Sequence, residues 1–234
     1  MQRPDPGRSP RAAKPGAGGQ VGAGQAGEGA LILGAVIAGG RSSRFGSDKA
    51  LALLDGKPLI DHAADALRGH IDALVLCGRT REGWTSLPDL PRPGLGPLGG
   101  IAAALAYAKT HGFASVLTIG CDMPDVPEEL LATLAATLPS YCADAPILGH
   151  WHADAADALL RHAELVPASA AQRISADAET RRGGPRNKSR VTSGKNPGLS
   201  IRRWAETIGA TPVPAPRPLA NVNTPADLIA FRSC

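Results

Sequence analysis

Three short apolar runs, at residues 31–38, 71–77 and 115–120, alternate with segments whose apolar residues recur at helical spacing. Residues 58–68 carry Leu59, Ala63, Ala66 and Leu67 on one face, and residues 97–109 carry Leu98, Ile101, Ala102 and Leu105. Residues 127–138 open on a proline, which suits the first turn of a helix. Continuous rather than alternating apolar runs mark strands buried on both faces. Strand, helix, strand, helix, strand therefore predicts a three-layer α/β fold around a mostly parallel sheet. Sheets of this kind bind ligands beyond the carboxyl ends of their strands. Gly39-Gly40, Cys77-Gly78-Arg79 and Cys121-Asp122 all fall at such ends.

A chain of 234 residues suffices for one well-filled domain of this kind. Its residues are 43% hydrophobic but only 3% aromatic, so the core is expected to be built from Ala, Leu, Val and Ile. The formal charge of +4 suits anionic ligands. It does not point to nucleic acid, because the basic residues concentrate in two segments that carry no aromatic side chains for stacking bases. In residues 1–29, Met1 and Val21 are the only sizeable apolar side chains, and a disordered tail is expected. The domain then spans 30–234, interrupted at about 164–198 by a stretch with Arg173, Arg181, Arg182, Arg186, Lys188, Arg190 and Lys195. That stretch lacks apolar periodicity and reads as a disordered insertion, a basic binding arm being the alternative. Beyond residue 140 the helical signals are 153–163, 200–208 and 224–231, the last with Thr224 as N-cap and Pro225 at the first helical position. Cys77, Cys121, Cys142 and Cys234 show no paired metal spacing, which favours free thiols in a reducing, cytoplasmic setting. Neither a signal-peptide core nor an apolar run of membrane-spanning length is evident, so no membrane partner is expected.

Within this frame the chemistry-bearing residues sit at strand ends. The first strand stops at Gly39-Gly40, and a loop with two cations, Arg44 and Lys49, follows. Glycines let backbone N–H groups approach a polyphosphate, and the cations neutralise it. The spacing is neither that of a P-loop nor that of the dinucleotide fingerprint. A surface turn with solubilising cations accounts for this loop equally well when it is taken alone. Gly94-Leu95-Gly96-Pro97-Leu98-Gly99-Gly100 is a second glycine-rich loop, opening a helix whose N-terminus favours anions. A compact turn before Pro97 is the plainer alternative. Upstream, Asp89 offers an acceptor for a base or a ribose hydroxyl. Asp122, after the third strand, suits Mg²⁺, which takes few protein carboxylates and keeps substrate oxygens as its other ligands.

Read in order, the motifs become specific. Ala38-Gly39-Gly40, Arg44-Phe45-Gly46, Asp48-Lys49-Ala50-Leu51, Gly56-Lys57-Pro58-Leu59-Ile60, Gly96-Pro97-Leu98-Gly99-Gly100, Cys121-Asp122-Met123-Pro124 and Asn221-Val222-Asn223-Thr224-Pro225-Ala226-Asp227-Leu228 resemble the molybdenum cofactor guanylyltransferase family. The resemblance runs from about residue 33 to residue 231 apart from the basic stretch, and it implies a Rossmann-like nucleotidyltransferase domain. It further implies Mg²⁺-dependent transfer of GMP from GTP to the terminal phosphate of molybdenum-molybdopterin, releasing pyrophosphate. Carried over residue by residue, the backbone of Ile37, Ala38 and Gly39 contacts GTP. Arg44 and Lys49 neutralise its phosphates and form the catalytic set with Asp122, the Mg²⁺ ligand. Asp89 contacts the nucleotide, while Asn221 and Asn223 lie on the pterin side. Insertion proteins or apo-molybdoenzymes are the protein partners it implies.

Two departures stand out. Phe45 replaces a usual methionine, and Gly78 stands where some members have asparagine, so base recognition there needs backbone or another side chain. The strand expected between residues 138 and 146 is also short. A cytidylyltransferase on the same pterin, a sugar-phosphate nucleotidyltransferase and a non-catalytic cofactor carrier are the competing readings. The presence of Arg44, Lys49 and Asp122 together disfavours the carrier.

Overall fold

The computed structural model describes residues 30–39, 48–164 and 200–231. The tail 1–29, Arg44, Cys234 and the basic stretch from 165 to 199 lie outside the described residues.

In chain order the elements are β1 (Ile32–Ile37), a 3-10 turn (Lys49–Leu51), β2 (Leu53–Leu54), β3 (Lys57–Pro58), α1 (Leu59–Leu67), β4 (Ala73–Cys77), β5 (Ser86–Leu87) and α2 (Pro97–Thr110). Next come β6 (Ser115–Gly120), α3 (Glu128–Ala136), β7 (Ser140–Cys142), β8 (Gly149–His152) and a second 3-10 turn (Ala153–Ala155) leading into α4 (Ala156–Glu164). The C-terminal elements are α5 (Ile201–Thr207), β9 (Thr211–Val213) and α6 (Pro225–Phe231).

Seven strands form one sheet in the order β5-β4-β1-β6-β8-β7-β9, and β2 and β3 form a separate hairpin. All neighbours in the large sheet are parallel except across β8, which runs against both β6 and β7. β1 alternates its side chains between two cores, as a strand buried on both faces must. Leu33, Ala35 and Ile37 pack with α2, α4 and Trp204 of α5, whereas Val36 and Ala38 pack with α1 and α3. The three expected layers are present. A small satellite cluster of Leu54, Leu59 and Val222, flanked by Leu228 and Phe231, joins the hairpin to the C-terminal segment.

Most expected boundaries hold within two residues. α3 ends at Ala136 rather than 138, because Leu138 precedes Pro139 and the α conformation is disfavoured there. The strand expected to be short is β7, with 3 residues. β8 has no counterpart in the apolar pattern, since its sequence is Gly-His-Trp-His. Its polar atoms are nevertheless satisfied. His150 Nδ1 donates to the Leu134 carbonyl (3.1 Å) and Nε2 accepts from Ser115 Oγ (2.8 Å). Trp151 Nε1 donates to Thr118 Oγ1 at 2.9 Å. Among the described residues no helix is long and apolar enough to cross a membrane.

The register does most to place the site. Ile37 stands opposite Cys77 on β4 and opposite Gly120 on β6, so three carboxyl ends finish level. Ala38 N–H donates to the Cys77 carbonyl (2.9 Å) and Cys121 N–H to the Ile37 carbonyl (3.1 Å), locking that edge one residue further.

Candidate active site

Two groups of side chains flank the backbone of residues 37–39 at this edge. On the β6 side, Lys49 Nζ donates to Asp122 Oδ2 at 2.8 Å and to Asn223 Oδ1 at 3.0 Å. Residues far apart in sequence thus share one ammonium. Each is placed by local chemistry. Asp48 caps the 3-10 turn that carries Lys49, its Oδ1 accepting from Ala50 N–H at 3.2 Å. Asp122 folds back over the end of β6. A Cβ on Gly120 would lie 2.6 Å from Asp122 Oδ1, so only glycine leaves the carboxylate where it is. The Asp122 carbonyl accepts from Val222 N–H (2.9 Å), which straps the C-terminal segment across the strand end. That segment is held in turn by Asp227, whose Oδ2 accepts from the N–H groups of Asn223 (2.8 Å) and Thr224 (2.7 Å). These bonds hold the Asp227 carboxyl below the usual carboxylate range, the Asn223 N–H foremost. Asp227 N–H donates back to Thr224 Oγ1, confirming Thr224 as the cap of α6.

On the β4 side, Asp89 lies in a bed of glycine backbone. A Cβ on Gly78 would meet Gly39 Cα at 2.4 Å and Asp89 Oδ1 at 3.1 Å, and one on Gly99 would meet Asp89 Cβ at 2.9 Å. Gly78 also has φ of +82°, a conformation that side chains beyond glycine seldom adopt. Glycine at 78 therefore follows from the close approach of the β1 and β4 ends. Leu90 N–H donates to the Gly99 carbonyl (3.1 Å), tying the Asp89 loop to the first turn of α2. Asp89 Oδ1 is buried with no hydrogen-bond partner among the described residues. Burial raises its carboxyl above the usual range. An unpaired acceptor on a floor without side chains is suited to a flat ligand that brings its own donors.

The donor set speaks for a hard cation at Asp122. Among the described residues no three His, Cys, Asp or Glu side chains gather as a metal cage. The neighbouring Cys121 thiol is pushed up to about 12, chiefly by burial, and stays protonated. Asp122 would offer such an ion one carboxylate, which fits a cation whose other ligands are substrate and water oxygens.

The two C-terminal asparagines part company. Asn223 joins Lys49, whereas Asn221 lines a groove of about 600 Å³ with Asp125, Ala220, Val222, Asp227, Ala230 and Phe231. Ile37, Ala38, Gly39, Lys49, Asp89, Asp122 and Asn223 gather at the sheet edge, and Arg44 lies outside the described residues. The supporting Asp48, Gly120 and Asp227 carry no role in the sequence reading. Of these, Asp227 had a legible signal: Thr224-x-x-Asp227 follows the spacing of a capping box.

Residues 34–187 match the MobA-like NTP transferase domain. A molybdenum cofactor guanylyltransferase of Rhodobacter capsulatus is 35% identical over 204 residues, covering 82% of this chain and 90% of that protein. One of Acidiphilium cryptum is 34% identical over 137 residues, covering 54% and 69% respectively. Among solved structures, a nucleotidyl transferase from Methanothermobacter thermautotroptrophicus superposes with a TM-score of 0.58 at 18% identity, over 88% of this chain and 97% of that one. The molybdopterin-guanine dinucleotide biosynthesis protein A of Archaeoglobus fulgidus does so at 0.51 and 23%, over 86% and 97%. These structures share the fold, while the matched domain and the Rhodobacter relative establish that the chain belongs to the MobA-like nucleotidyltransferase family.

Proposed function

We propose that the protein is a guanylyltransferase that moves GMP from GTP to the terminal phosphate of molybdenum-molybdopterin, forming the guanine dinucleotide cofactor and pyrophosphate. The observation that carries this reading is the convergence of Lys49, Asp122 and Asn223 beside the backbone of residues 37–39. The attacking phosphate is already an anion, so no strong general base is required. Catalysis then rests on alignment and charge neutralisation. Lys49 exchanges its carboxylate partner for phosphate oxygens when the nucleotide enters, and Arg44 adds a second cation. Asp122 would hold Mg²⁺, which supplies charge neutralisation at the phosphates when bound.

Asp89 supplies the base preference. Guanine presents a ring N–H and an amino group side by side, and a carboxylate accepts both. Cytosine offers an amino group beside an acceptor nitrogen, which repels the second carboxylate oxygen. The buried, unpaired Oδ1 of Asp89 gains most from donors of the guanine kind. Asn221 lines the groove beside the Val222 strap, where a pterin would lie. The setting is cytoplasmic, and apo-molybdoenzymes or cofactor insertion proteins receive the product.

Pyrophosphate release measured with molybdenum-molybdopterin and competing GTP, CTP and UTP tests this reading. GTP should be turned over at least tenfold faster than the others. Preference for CTP would make the protein a cytidylyltransferase, and binding without release would make it a carrier.

A further inference from the structure

Arg79 takes no part in the reaction as described, yet it is built into its support. It follows Gly78 at the end of β4, and its Nη1 lies 2.7 Å from Asp48 Oδ1. That same oxygen accepts from Ala50 N–H and so caps the turn bearing Lys49. One oxygen therefore ties a cation on β4 to the turn that aims the phosphate-binding ammonium. Both partners are partly covered, at 23% and 38% exposure, so the pair is neither a free surface bridge nor a buried one. Arg79 Nε is itself buried and has no hydrogen-bond partner among the described residues. A side chain serving only solubility would not bury a donor in this way. Arg79 and Lys49 both lie close enough to Cys121 to act on its thiol.

We propose that Arg79 is a positioning residue for Lys49, acting through Asp48. Without the guanidinium, the Asp48 carboxylate is free to turn away from Ala50, and the turn loses its cap. Lys49 then samples orientations that do not meet the phosphates, and both nucleotide binding and turnover fall. The inference rests on Lys49 being the phosphate-binding lysine of the proposed reaction.

The test is a double-mutant cycle in the full-length protein, with Arg79→Ala, Asp48→Ala and the pair, together with Arg79→Lys. Affinity for GTP with Mg²⁺ is measured by calorimetry without the second substrate, beside kcat, KM and Tm. Arg79→Ala should weaken GTP binding about tenfold and lower kcat, at a Tm within a few degrees of wild type. The double variant should bind GTP no more weakly than Asp48→Ala alone, because both changes remove one device. Arg79→Lys should recover part of the affinity. Additive losses would overturn the inference and make Arg79 a direct nucleotide contact. Unchanged affinity and kcat in Arg79→Ala would overturn it as well. If Arg79→Ala does not fold, Arg79→Lys and Asp48→Ala decide, since wild-type GTP affinity in both excludes the device. Failure of the wild-type protein to bind GTP overturns the proposed function and this inference with it. Wild-type binding with indifferent variants overturns this inference alone.

Discussion

Lys49 Nζ and Asp122 Oδ2 lie 2.8 Å apart, so one ion pair joins the turn after β1 to the end of β6. Both side chains retain some exposure, 15% and 24%, and solvent screens their attraction. Lys49→Ala should therefore lower stability by about 1 kcal/mol or less. Guanylyl transfer should fall by about 10²–10³, the usual cost of removing a charge-stabilising donor. Steady-state pyrophosphate release and thermal melting on the same sample separate the two effects. A variant that melts early while its folded fraction turns over normally would refute the phosphate role.

Gly120→Ala tests the placement of Asp122. The added methyl would sit 2.6 Å from Asp122 Oδ1 and 3.3 Å from Ile147 Cδ1. The far end of the aspartate rotates away readily, so Tm should move little. Displacing a carboxylate by about 1 Å costs roughly 10²-fold in rate. A loss of activity together with a raised Mg²⁺ requirement is the expected result. Full activity would mean that the carboxylate position is not critical.

Asp89→Asn should weaken GTP binding and make the protein more stable. The carboxyl is raised above its unfolded value of 3.8 by burial. Between the unfolded and folded values the native state holds the extra proton, so stability falls as pH rises through that window. Above the folded value the whole penalty is present, and the amide removes it. A rise in Tm of about 1–3 °C at pH 7, vanishing below pH 3.8, is expected. Equal melting at pH 7 would show that the unpaired oxygen costs nothing.

His150 supplies a pH dependence of opposite sign. Burial lowers its ring below the ordinary 6.5, and the neutral form bridges Ser115 and the Leu134 carbonyl. As pH drops below 6.5 the unfolded chain takes up a proton before the native one does, so this contribution is complete above 6.5 and fades beneath it. The melting advantage of wild type over His150→Gln should shrink between pH 7.5 and pH 5.5. A constant gap would mean that the ring stays neutral for other reasons, or titrates alike in both states.

The parts of the fold legible in the sequence are those with long, one-sided patterns. β1, β4 and β6 are continuous apolar runs, and α2 shows helical spacing over 14 residues. β5 has only 2 residues, too few for any period to register. β8 was hidden because two of its residues are histidines, one of them buried among hydrogen bonds that come from α3 and β6. The site shows the same division. Lys49 and Asp122 stand out because each follows a glycine-rich or strand-end signal, and Asp89 because it precedes the second glycine-rich loop. That Asn223 meets Lys49 while Asn221 turns to the groove depends on the Val222 strap, a contact across a hundred residues of chain. Arg79 and Asp48 carry no local sign of their pairing, because ion pairs between loops leave no period.

The interlock of Gly39, Gly78, Gly99 and Asp89 also shapes what mutation can explore. Each glycine is tight because another backbone or the aspartate stands against it, so none of the three glycines can gain a side chain without moving a neighbour. In a library that randomises the nucleotide cleft, variants at these glycines should be depleted whichever base is supplied for selection. A shift in base preference must then begin at Asp89 itself or beyond the three glycines, the adjoining Leu87, Pro88 and Leu90 lining a separate apolar groove.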